Sequence, residues 1–214
     1  MARDSYLRDE SAVVGREAVR TGLVVASGGN LSARRPGAGR FWVTGAGTWL
    51  DRLNESSFAR VRLDGSSTGA SRCPPTSELA LHLATYRARP EVNAIVHLHP
   101  QYAVMLDALG ERIRLVTTDH AVYLGRIARV PFHPPGTAEL AEAAAVAVAG
   151  GANCLILAHH GCSVLGETVD VAHRRAANLE EAARLTYRAL VLTGQLRDRE
   201  IAECPLDVSV LDTV

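Results

Sequence analysis

The chain has 214 residues, 47% of them hydrophobic, and a formal net charge of zero, so it can bury one substantial core and is expected to form one domain over residues 1–214. Neutrality leaves no basic field for a nucleic-acid backbone and no polybasic stretch for an anionic membrane, which points away from both partners and toward small-molecule chemistry. No apolar run approaches the ~18 residues of a spanning helix, and the charged start MARDSYLRDESAVV is unlike a signal peptide, so a cytoplasmic protein is expected.

In chain order, Leu7, Val13, Val14 and Ala18 recur among charges at helical spacing, predicting a helix over residues 5–21 that Gly22 stops. Residues 27–35, SGGNLSARR, read as a loop with exposed backbone amides, followed by a short strand at 41–44. Alternation at 59–63 predicts another strand, and 63–71 reads as turn and loop. Pro75-Thr76-Ser77-Glu78 then opens a helix to Arg87, placing Glu78 in its first turn. AIVHLH, 94–99, reads as a strand ending at Pro100, with a helix over 101–110 behind it. Residues 112–118 and 126–132 suggest two strands, 137–150 an alanine-rich helix, 153–161 a buried strand and 169–194 a long closing helix. The sum is a mixed α/β domain without repeats or a linker.

All 23 basic residues are arginines, which removes Schiff-base catalysis by a lysine and demands another electron sink for any carbonyl chemistry. Cys73, Cys154, Cys162 and Cys204 are widely spaced without a CxxC pair, so they are expected to be reduced thiols rather than a disulfide framework or a thiolate zinc site.

The candidate electron sink is a metal. His97 and His99 lie two apart on one strand, so both rings project from one face while Leu98 faces away. A His-x-His pair also occurs on ordinary strands, so further ligands are needed. His160 ends a strongly apolar segment just before a glycine, where an unpartnered ring is costly; His159 is its rival. Glu78 could add a carboxylate, giving three imidazoles and one displaceable oxygen, the open arrangement of catalytic zinc. Such an ion would bind adjacent carbonyl and hydroxyl oxygens of a ketose and stabilise an enediolate. His82, four residues after Glu78, could orient that carboxylate but reads more simply as an ordinary helix pair. His133 and His173 have no convergent partners, and Arg174 and Arg175 begin a helix face of solvated charge.

Taken together and in this order, Gly29-Asn30-Leu31-Ser32, Thr76-Ser77-Glu78, His97-x-His99 and His160-Gly161 give a chain that resembles the class II aldolase and adducin family over about residues 10–190. The resemblance implies a three-layer α/β/α domain around a largely antiparallel sheet, and a homotetramer with sites at subunit interfaces. It implies Zn2+, with Mn2+ or Co2+ as other divalent candidates, on His97, His99, His160 and Glu78, with Glu78 also the general base and acid. It further implies a phosphate grip by Gly29, Asn30, Ala46, Gly47, Thr76 and Ser77. Where the family often has a serine or threonine this chain has Ala46, with Thr44 and Thr48 nearby.

The tyrosine that donates a proton to the leaving aldehyde in the fuculose enzyme of this family aligns with Thr117. The following residues offer Asp119, His120 and Tyr123, of which His120 ranks above Tyr123 as the aldehyde-side acid. The reaction so implied is cleavage of a ketose 1-phosphate, fuculose phosphate or a short 5-deoxypentulose 1-phosphate, to dihydroxyacetone phosphate and an aldehyde. Pentulose-phosphate 4-epimerisation uses the same scaffold, but the epimerase aspartate aligns with Ala121. Dehydration or decarboxylation of a sugar phosphate, and an adducin-like binding protein without catalysis, are the other readings. The tail, 202–214, is expected near a neighbouring subunit's site.

Overall fold

The computed structural model describes residues 5–69 and 72–195. The expected tail at 202–214 and Cys204 lie outside the described residues.

Helix α1, Ser5–Arg20, buries the stripe Leu7, Ser11, Val14, Gly15 and Ala18. It ends where Gly22 takes φ +74° and Leu23 N–H donates back to the Ala18 carbonyl, a left-handed glycine stop. The strands that follow are β1 (Asn30–Ala33), β2 (Arg40–Thr44), β3 (Phe58–Arg62), β4 (Ala94–Leu98), β5 (Ile127–Val130), β6 (Cys154–Leu157) and β7 (Gly161–Gly166). They form one seven-stranded sheet in the order β3-β2-β1-β4-β7-β6-β5. Every neighbouring pair is antiparallel except β5 with β6. The remaining helices are α2 (Leu79–Ala88), α3 (Gln101–Ala108), α4 (Thr118–Leu124), α5 (Ala138–Ala149) and α6 (Val169–Leu192).

Period-two alternation divides the strands between two cores. Leu31 and Ala33 of β1, Val96 and Leu98 of β4, and Cys162 and Val164 of β7 pack with α1, α3, α4 and α6. Ile95 and Leu165 point the other way and pack under Leu81 and Tyr86 of α2 and Leu140, Ala144 and Val148 of α5. A mostly antiparallel sheet between two helical layers is the architecture expected from the sequence. Thr137 and Thr168 cap α5 and α6, each hydroxyl accepting a backbone N–H of its first turn.

Four sequence expectations are corrected. Residues 30–33, read as loop, form β1 in the middle of the sheet. Its alternation of Asn30 and Ser32 with Leu31 and Ala33 spans only four residues between glycines and arginines, too short to register as a period. Residues 112–116, read as strand, have no regular structure, and Thr118–Leu124 is helix α4, started by a reciprocal cap between Thr117 and His120. The segment at 153–161 is not one strand but β6 and the turn that leads into β7; His159, at φ 56°, makes that turn. Glu78 precedes the first turn of α2 as its N-cap, without a side-chain cap bond.

Candidate metal centre and active site

Three strands bring a polar rung onto the α2 face of the sheet, with Asn30 paired to His97 and His97 paired to Ser163. His97 is fully buried there. His99, just beyond the end of β4, returns to the same side. His160 closes the β6–β7 turn, and Glu78 enters from the start of α2.

These four side chains meet. The Nε2 atoms of His97 and His99 are 3.1 Å apart, and the three imidazole rings of His97, His99 and His160 have centroids 4.8–5.1 Å from one another. One ring nitrogen from each lies within 4.8 Å of the others, a set that could hold a metal ion. Glu78 Oε2 is 3.0 Å from His97 Nε2 and Glu78 Oε1 is 3.5 Å from His160 Nε2. His97 Nδ1 donates to the Cys162 carbonyl at 2.9 Å, which orients the ring and turns Nε2 toward the cluster. His160, and not His159, joins the cluster. His159 instead stands edge-on to Phe132.

Two glycines make the close approach feasible. A Cβ on Gly29, already at φ +73°, would lie 2.5 Å from the His97 carbonyl oxygen. A Cβ on Gly161 would lie 2.3 Å from the Leu98 carbonyl and 2.7 Å from the His99 ring. Gly29 and Gly161 are therefore required by backbone contact with the histidine strand.

Burial sets the charge of the cluster. Desolvation, followed by the charge of its neighbouring rings, lowers His99 to about 3 and His160 to about 4, against a partial offset from Glu78. Both imidazoles are therefore neutral and able to ligate. Burial alone would raise the Glu78 carboxyl, but His97, then His160 and the Asn30 amide, outweigh it and hold the group below the usual carboxylate range. Glu78 Oε2 accepts from Asn30 Nδ2 at 2.8 Å, while Oε1 is buried without a hydrogen-bond partner. An ionised carboxylate with one oxygen tied and the other bare is equipped to accept a proton or a cation.

The residues expected around a phosphate are only partly grouped. The turn at 45–48 is joined to the segment before α2 by Ala46 N–H to the Pro74 carbonyl and Thr76 N–H to the Thr44 carbonyl. Ala46, Gly47 and Ser77 are exposed, and Thr76 is buried with its hydroxyl accepting Glu78 N–H. Neither nearby threonine replaces the hydroxyl absent at Ala46, because Thr44 is fully buried and Thr48 Oγ1 donates its proton to the Gly45 carbonyl. The Asn30 amide is spent on Glu78 and His82.

His120 is not brought to the cluster. It is fully buried in the cap of α4, with Nδ1 accepting from the Val116 and Thr117 amides and Nε2 3.7 Å from Glu181. Tyr123 lies on the same short helix, its carbonyl accepting from Arg175. Asp119 is exposed on the first turn of α4.

Sequence reasoning missed Ser32 and Tyr86, which bond to one another and through His82 to Asn30. The spacing of Glu78, His82 and Tyr86, four apart on one helix face, was the available signal. It also missed Asp107, which receives His159 N–H and pairs with Arg129 and so braces the turn carrying His160.

Comparison with known proteins agrees with this geometry. The L-fuculose phosphate aldolase of Methanococcus vannielii is 36% identical over 164 residues, 77% of this chain and 86% of that protein. The 3-oxo-tetronate 4-phosphate decarboxylase of Escherichia coli K12 is 31% identical over 189 residues, 86% of this chain and 87% of that one. The solved L-fuculose-1-phosphate aldolase of Thermus thermophilus superposes with a TM-score of 0.79 at 26% identity, covering 89% of this chain and 97% of its own. A sequence model described as class II aldolase and adducin N-terminal domain matches residues 9–187, and with the fold and the histidine cluster in agreement the chain belongs to that family.

Proposed function

We propose that this protein is a divalent-metal-dependent aldolase that cleaves a ketose 1-phosphate to dihydroxyacetone phosphate and an aldehyde, with zinc as the favoured ion. The observation that carries the reading is the convergence of three imidazole nitrogens on a carboxylate whose Oε1 has no donor. Three imidazole nitrogens turned toward one another around a buried carboxylate form the donor set of a divalent cation, so the residues fit a metal.

His97, His99 and His160 would hold the ion. Once bound it supplies Lewis-acid chemistry at the carbonyl and hydroxyl oxygens of the ketose, the role no lysine can take here. Glu78 Oε1 moves the proton at the triose carbon, removing it in the synthetic direction and returning it in cleavage. Gly29 and Gly47 give a phosphate access to backbone, and Ser77 and Thr76 offer hydroxyls beside it. His120 is left out of the proton transfer, because a fully buried ring engaged in a helix cap offers no face to an aldehyde.

Decarboxylation of a sugar-acid phosphate is the second reading, supported by the relative in Escherichia coli that carries that name. Both reactions break a carbon–carbon bond beside a carbonyl and need the same electron sink. The deciding experiment incubates metal-loaded protein with a panel of ketose 1-phosphates and 3-oxo sugar-acid phosphates, with products identified by mass and NMR. Dihydroxyacetone phosphate release is expected. Carbon dioxide from the acids, with no ketose cleaved, would overturn the aldolase reading in favour of the decarboxylase.

A further inference from the structure

From Glu78 a line of buried polar groups runs through the core between the sheet and α2. Asn30 Nδ2 lies 2.8 Å from Glu78 Oε2, Asn30 Oδ1 contacts His82 Nε2, His82 Nδ1 lies 2.7 Å from Ser32 Oγ, and Ser32 Oγ lies 2.9 Å from the Tyr86 hydroxyl. Asn30, Ser32, His82 and Tyr86 are all buried, so none of these contacts is made for solvent.

The chemistry of the groups allows one arrangement of hydrogens. A carboxylate only accepts, so Asn30 must present its NH2 to Glu78 and its carbonyl oxygen to His82. That oxygen needs a donor, so His82 carries its proton on Nε2 and is bare at Nδ1. Ser32 must then donate to Nδ1, and its own oxygen accepts from Tyr86. Every hydrogen bond from Tyr86 to Glu78 points the same way, with the carboxylate as the terminal acceptor.

We propose that Tyr86, Ser32 and His82 are positioning residues that fix the Asn30 amide in the orientation that ties down Glu78 Oε2 and leaves Oε1 free to react. With the opposite tautomer, the bare Nε2 of His82 would draw the Asn30 NH2 to itself and turn the amide oxygen against the carboxylate. Tyr86 and Ser32 prevent this by filling Nδ1 with a donor. The Asn30 side chain, which the family resemblance gives to a substrate phosphate, thus acts on the base instead. The inference rests on Glu78 being the proton-transfer group of the proposed aldolase.

Its test is arranged so that the two claims fail separately. On the metal-loaded protein, ring-nitrogen NMR reads the His82 tautomer without any substrate. His82 is expected with its proton on Nε2, and Tyr86→Phe, which removes only the outermost hydroxyl, is expected to shift the His82 nitrogen resonances. A proton on Nδ1, or resonances unmoved by Tyr86→Phe, overturns the proposal whatever the enzyme's reaction. The kinetic arm follows solvent deuterium entering dihydroxyacetone phosphate. His82→Leu is expected to lower kcat about 100-fold, the scale of a misplaced reacting group, with KM and bound metal unchanged. His82→Gln, which still offers an N–H to Asn30, is expected to recover to within about tenfold of the parent. Full kcat in metal-loaded His82→Leu overturns the proposal. If that variant does not fold, Ser32→Ala takes its place, with the same loss expected and an unchanged kcat equally fatal. Absence of exchange in the parent enzyme would count against the aldolase reaction, and the tautomer arm would still decide this inference.

Discussion

At the scale of single residues, Glu78 and His97 touch one another yet should fail differently. Glu78→Gln removes the charge and the proton-accepting oxygen but leaves three imidazoles, so metal content by elemental analysis should stay stoichiometric while kcat falls by about 100-fold or more. His97→Ala removes one of the three clustered nitrogens from a buried position, and metal should be lost along with activity. Full turnover in Glu78→Gln would refute its role. The site was most legible at this scale. A histidine in an apolar strand or a carboxylate at a helix start is conspicuous because burial makes an unpartnered polar group expensive. The contacts of Asn30 and His82 were less so, because they depend on which strand lies beside which.

Among the elements, the β6–β7 turn has the most to explain. His159 adopts φ 56°, a left-handed conformation uncommon for residues other than glycine, and its amide is held by Asp107 from α3, which Arg129 of β5 pairs in turn. This bracing sets where His160 emerges. Asp107→Ala should therefore lower metal affinity about tenfold by competition with a chelator, although residue 107 touches no ligand side chain. Unchanged affinity would show the turn to be held by β6 and β7 alone. The turn illustrates why some elements were illegible. The NCLILAHHG run looks like one strand because hydrophobicity does not mark a reversal made by a histidine in place of glycine. Helix α4 was hidden for a related reason, since its seven residues are too few to display a helical period. The long helices α1, α5 and α6 and the strand β4 were readable from periodicity and caps.

For the molecule as a whole, buried histidines make stability depend on pH. Burial lowers His82 and His99 to about 3 and His160 to about 4, so in the fold all three are neutral at ordinary pH. In the unfolded chain each returns to about 6.5 and takes up a proton below it. The unfolded state thus binds more protons as pH falls, and stability declines from about pH 6.5 toward 3, being fully present above that window. The Tm of metal-free protein should drop steeply between pH 7 and 4. A flat profile would mean that these rings are not buried neutral. Metal-loaded protein should show the same sign more strongly, because protons also compete for the imidazoles.

The polar rung of Asn30, His97 and Ser163 lies on β1, β4 and β7, which are paired on both edges, whereas β3 and β5 form the rims of the sheet. Such central strands open only with the whole cooperative unit, so their amides should be the slowest to exchange with deuterium and those of the rims faster. The floor that carries His97 then has no partly open form of its own. Denaturant should abolish catalysis and fluorescence-detected structure in one superimposable transition, and any adaptability toward different sugars must come from the surrounding loops rather than from the floor.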